Sequence, residues 1–247
     1  MLEDFRIACM FLTRLPLRPT RPVGLRDLAA AVYMFPIVGA LVGAVGGLVY
    51  LLAIHLDLPT LPATVLAVAA MVAVTGGLHE DGLADTADAL GAGEDREKAL
   101  AVMRDSRIGS FGALALVLVV VARLSALANF WDPGFFLRVA VTAAAASRAA
   151  MPVVMWLQPS ARTSGLAASA GRPEPPRVWA GIALALALGF LLLPPAAFFE
   201  AAAASALAAA ATATWLGRRF GGCTGDTLGA VQQVAEVAFL LAVVTEI

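Results

Sequence analysis

The chain has 247 residues, of which 60% are hydrophobic and only 14% charged, with a formal net charge of −1. Soluble globular domains carry about a quarter charged residues, so this composition excludes one and points to an all-α, polytopic membrane bundle, read as one domain over 1–247. The near-zero net charge gives no electrostatic basis for nucleic-acid binding. Cys9 and Cys223 lie far apart and match no metal or redox spacing.

The chain opens with MLEDFRIACMFLTRLPLRPTRP, where charges and prolines interrupt any apolar core, so no cleavable signal peptide is expected. Seven apolar segments follow, at 29–52, 62–78, 108–129, 135–157, 178–194, 200–216 and 228–245. Several sit near the lower limit of about 17–20 residues for crossing the hydrocarbon core. Pro194 and Pro195, between the fifth and sixth, mark either a turn or a kink. The sixth is alanine-rich, which favours close helix packing over contact with lipid.

Fourteen of the 17 Lys and Arg residues fall in alternate connections: five before the first segment, four after the second, three after the fourth and two after the sixth. The other connections and the C-terminal end carry Asp57, Asp132, Glu200 and Glu246 but no Lys or Arg. The positive-inside rule therefore places the N-terminus in the cytoplasm and the C-terminus on the far side. Three cations lie inside segments. Arg123 and Arg138 are near outer ends and are expected to snorkel. Arg148 is mid-segment and needs a buried partner, for which Glu236 is the candidate, or else a substrate contact.

Three polar stretches gather at the cytoplasmic side. In GLHEDGLADTADAL, from Gly77 to Leu90, Asp81, Asp85 and Asp88 have offsets of +4 and +7. At about 100° per residue these share one narrow helical arc. Like charges so placed repel unless something offsets them, and a hard divalent cation does so through oxygen ligands. The same spacing also suits a solvated acidic face. His79 precedes the arc and points away from Asp81 on a continuous helix, so a catalytic or supporting role requires the helix to begin after it. In MRDSRIGSFGALAL, Arg104 and Arg107 flank Asp105 and lead into glycine and serine amides that suit phosphate oxygens. In GRRFGGCTGDTLGA, Asp226 is either a further metal ligand or a helix N-cap, and Arg218 could neutralise a diphosphate. The loop from Gln158 to Arg177 is rich in Pro, Gly and Ser and reads as a flexible cover.

The strings GGLHEDGLADTADAL, MRDSRIGSFGALALVL and GGCTGDTLGA, together with FLTRLP and FPIVGALVG near the start, resemble the adenosylcobinamide-GDP ribazoletransferase, or cobalamin synthase, family in order and over nearly the whole chain. The resemblance implies a multi-pass Mg²⁺-dependent enzyme of the bacterial cytoplasmic (inner) membrane. Such an enzyme joins adenosylcobinamide-GDP to α-ribazole or its 5′-phosphate and releases GMP. On that reading Asp81, Asp85, Asp88 and Asp226 hold Mg²⁺, one of the three helix aspartates or Asp105 takes the hydroxyl proton with His79 in support, and Arg104, Arg107, Arg218 and Arg148 bind phosphate. The CDP-alcohol phosphotransferases, which also cluster aspartates on membrane helices, are a chemical parallel only, because their aspartate spacing is absent here. The alternative is a cation-coupled transporter, which predicts internal repeats and midplane acids; only Glu236 fits. A membrane scaffold leaves the acidic arc unexplained. The oligomeric state, homo-oligomer included, stays open.

Overall fold

A computed structural model describes residues 1–17, 19–163, 165, 168 and 170–246, apart from the Leu25 side chain. Arg18 of the N-terminal arginine group, and Ser164, Leu166, Ala167 and Ser169 of the expected cover loop, lie outside the described residues.

Among the described residues the chain is all-helical, with one isolated bridge between Ser160 and Cys223. Two short helices, α1 (Leu2–Leu12) and α2 (Leu25–Ala31), and a 3₁₀ turn (Val32–Met34) lead into α3 (Phe35–His55). Then come α4 (Thr60–Thr75), α5 (Leu78–Gly91), α6 (Arg96–Val102), α7 (Ser110–Leu127) and α8 (Pro133–Leu157). The last three are α9 (Pro175–Leu192), α10 (Pro195–Phe220) and α11 (Gly225–Val244). Six helices are long and apolar enough to cross a membrane, and a seventh span arises if the bent pair α4–α5 counts as one. All seven expected apolar segments correspond to helices, and Pro194 and Pro195 mark a turn between two of them.

The helix ends follow local chemistry. Asp132 and Thr224 cap α8 and α11 through side-chain acceptors to Phe135 and Thr227 amides. Pro occupies the first turn of α3, α8, α9 and α10, where its missing N–H has no helical partner to lose. Gly76 and Gly77 both adopt left-handed φ, at 66° and 71°, and turn the chain by 86° between α4 and α5.

Small residues bring the spans together. Gly39 and Gly43 of α3 face the backbone at Ala144 and Ala140 of α8, so closely that a Cβ at either glycine would collide with a carbonyl. This is the small-residue packing that membrane helices use where water supplies no driving force. Leu48, Leu118 and Leu191 remain exposed on the outside of the bundle, as a lipid-facing surface requires.

Candidate functional site

The broken α4–α5 pair builds the site. Beyond the double glycine, α5 runs alongside α7 and crosses the start of α11. Gly82 makes the second contact possible, since a Cβ there would lie 2.8 Å from the Asp226 carbonyl oxygen. The close crossing places Asp81 and Asp85 beside Asp226 of α11. Asp81, Asp88, Asp226 and the Arg162 guanidinium are all near enough to act on the Asp85 carboxylate.

Two cavities meet at Asp81. One, of about 220 Å³, is lined by Asp81, Asp226, His79 and Arg162 together with apolar side chains. The other, of about 730 Å³, is lined by Asp81, Asp85, Arg14 and Ser106. Asp81 is exposed at their junction. The continuous start of α5 at Leu78 puts His79 in its first turn, buried at 1% exposure. Neither of its ring nitrogens has a hydrogen-bond partner among the described residues.

Asp88 shares the acidic arc but has separate partners. Its two oxygens accept from the backbone amides of Gly109 at 2.7 Å and Gly112 at 2.8 Å. The carboxylate thus caps the N-terminus of α7, where orphan amides and the helix dipole favour an anion. A Cβ at Gly109 or Gly112 would collide with it. The glycine amides expected to take phosphate oxygens therefore take a carboxylate of the chain itself.

Asp226 is not the N-cap of α11. Thr224 holds that position in a reciprocal pair with Thr227, and Asp226 instead accepts from Arg162 at 3.1 Å. Arg162 is fixed by a short lattice of backbone bonds. Cys223 donates to the Pro159 carbonyl, Ala161 donates to that of Cys223, and Arg96 clasps the Phe220 and Ala161 carbonyls at 2.6 and 3.0 Å. Nε and one Nη of Arg162 are buried without partners among the described residues.

Other expected residues lie elsewhere. Asp105 pairs with Arg107 at 2.6 Å, and the guanidinium holds its carboxyl down at about 2, far below a useful proton acceptor at neutral pH. Arg104, Arg107 and Arg218 are exposed and line neither cavity. Arg148 is buried, with its guanidinium 3.7 Å from Glu236 and 3.1 Å from the Ala144 carbonyl, and it too lines neither cavity.

The expectation that Arg123 snorkels is corrected. Its side chain is 2% exposed and bridges Glu80 at 2.8 Å and Glu236 at 2.9 Å. Gln232 and Gln233 donate to the same two carboxylates. Two arginines and two glutamates thus balance inside the bundle, and Arg123 is a closer partner of Glu236 than Arg148 is.

Among the described residues no three metal-ligating side chains converge on one point as a ready-made cage. The carboxylates at the junction are all oxygen donors, and each cavity adds one arginine beside two of them, Arg162 in the smaller and Arg14 in the larger.

The family model described as cobalamin-5-phosphate synthase matches residues 4–244. The chain belongs to this family. It is accordingly an enzyme, as the sequence resemblance implied. The adenosylcobinamide-GDP ribazoletransferase of Bradyrhizobium diazoefficiens is 42% identical over 245 residues, covering 98% of this chain and 93% of the relative. That of Mesorhizobium japonicum is 43% identical over 241 residues, covering 98% and 92%. A Sinorhizobium medicae relative with the same name is 43% identical over 250 residues, covering 96% and 94%. No solved structure matches the chain.

Reasoning from sequence missed Arg14 and Arg162 as site residues. Arg14 sits in the FLTRLP motif, which carried part of the resemblance, and Arg162 in the loop read as a cover. Both are isolated arginines, with no spacing that sets them apart from cations at the membrane interface.

Proposed function

We propose that the chain joins adenosylcobinamide-GDP to α-ribazole or its 5′-phosphate and releases GMP. The reaction takes place at the junction of the two cavities, on the cytoplasmic face of the bacterial inner membrane. The observation that carries this reading is Asp81, a carboxylate that lines both cavities. A transferase that unites two substrates needs such a shared wall. The family membership and the names of the relatives support the substrates, and the alternation of Lys and Arg supports the orientation.

In the reaction a ribazole hydroxyl attacks the phosphorus attached to the corrinoid side chain. The bond from that phosphorus to the GMP oxygen breaks, and the hydroxyl proton passes to a carboxylate of the Asp81, Asp85 and Asp226 cluster. Asp105 is unsuited because Arg107 already holds its charge, and both Asp88 oxygens are engaged by amides. The donor set fits Mg²⁺, which takes one or two carboxylates and completes its shell with phosphate and water oxygens, so no protein cage is required. Asp81, Asp85 and Asp226 would hold Mg²⁺, which would supply charge neutralisation on the diphosphate. The residues themselves position the two substrates on either side of Asp81, where alignment does much of the catalytic work.

Inverted membrane vesicles test this reading directly. GMP release is expected only when both substrates are added, to be abolished by EDTA and restored by Mg²⁺, and to be absent in right-side-out vesicles. Ion-gradient-driven uptake without GMP release would establish the transporter alternative instead.

A further inference from the structure

Resting on the transferase reading, we infer that the 220 Å³ cavity on the Asp226 side of Asp81 seats the acceptor nucleoside. Its aromatic azole lies against an apolar wall of Phe35, Met151 and Met155, and its ribose points toward Asp81 and Arg162. The cavity is divided by chemistry. Phe35, Met151 and Met155 are buried and present only carbon and thioether sulfur. The two methionines, one helical turn apart on α8, give an adaptable surface that favours contact with aromatic rings. The same cavity is also lined by the Asp81 and Asp226 carboxylates and by Arg162, so one space offers both apolar and charged walls.

The apolar wall discriminates between the two nucleosides of the reaction. Guanine presents an amino group, a ring N–H and a carbonyl, all of which would lose hydrogen bonds against Phe and Met. A glycosylated benzimidazole-type azole has no N–H and a single ring acceptor, so it loses little there. Ribose hydroxyls both donate and accept, so the Asp81 carboxylate and the Arg162 guanidinium suit them. The corrinoid diphosphate then takes the larger cavity, which Arg14 lines together with Asp81 and Asp85.

The test is steady-state kinetics of purified Met155→Trp and Met151→Trp, each of which fills the wall. Each is expected to raise KM for α-ribazole at least about tenfold while leaving that for adenosylcobinamide-GDP within about twofold. Equilibrium binding of α-ribazole alone is expected to weaken by a similar factor, and thermal unfolding identifies a variant that has failed to fold. If Met155→Trp does not fold, Met151→Trp carries the test, with Met155→Phe as a milder filling. A rise in the donor KM with the acceptor KM unmoved, or unaltered α-ribazole binding by a folded variant, would overturn the assignment and leave the transferase reading intact. A wild-type protein that binds α-ribazole but releases no GMP would overturn the transferase reading on which the assignment rests.

Discussion

Removing the Asp88 carboxylate strips two amide hydrogen bonds from the first turn of α7. Capping bonds of this kind are worth about 0.5–2 kcal/mol each. Asp88→Ala is therefore expected to cost about 1–4 kcal/mol of stability, read as a lowered midpoint of chemical unfolding in detergent. Asp81 is exposed and its side chain caps no helix end among the described residues, so Asp81→Ala is expected to leave that midpoint nearly unchanged. The opposite ranking would show that the two aspartates have been assigned the wrong way round. The helical arithmetic that grouped Asp81, Asp85 and Asp88 was legible in sequence. Their division of labour was not, because it depends on Gly109 and Gly112, more than 20 positions away, donating to one of the three. The same holds at Asp226, whose spacing allowed both an N-cap and a ligand. The reciprocal pair of Thr224 and Thr227 excludes the N-cap.

At the scale of elements, α5 is held in place from both ends. Asp88 ties its end to the start of α7, and Glu80 ties its beginning to Arg123, which in turn holds Glu236 of α11. Removing one partner of a buried ion pair leaves an uncompensated charge and costs about 3–5 kcal/mol. Arg123→Met is expected to lower stability by that order and to reduce turnover as α5 loses its register. Adding Glu236→Gln to it should recover part of the loss. Loss of turnover without loss of stability, and no recovery in the double variant, would instead give Arg123 a direct role in the reaction. Apolar run length identified every membrane-crossing helix, since it is a property of each segment alone. The sequence reading misplaced Arg123 because position near a helix end suits both snorkelling and burial. The choice is made by the glutamates of α5 and α11, which only the folded bundle brings alongside. The 86° turn was hidden similarly. An apolar run ending at residue 78 looks continuous, whereas Gly76 and Gly77 let the chain redirect just before the acidic face.

For the whole molecule, the account rests on two cavities that share one carboxylate. The apolar bundle supplies a low-dielectric surround, α5 enters it with its acidic face toward the start of α11, and the 158–162 segment brings Arg162 over Asp226. Class and the acidic motif were readable from composition and spacing, and the family from its motifs. The cavities required coordinates, because residues from α1, α2, α3, α5, α8 and α11 line a single space. The most direct measurement is GMP release by purified Asp81→Asn at saturating Mg²⁺ and both substrates, with unfolding followed in parallel. The account predicts a loss of at least about a hundredfold in kcat, the scale of removing a group that acts at the transferring phosphorus, with the fold and the binding of each substrate retained. Turnover of folded Asp81→Asn at the wild-type rate would contradict it.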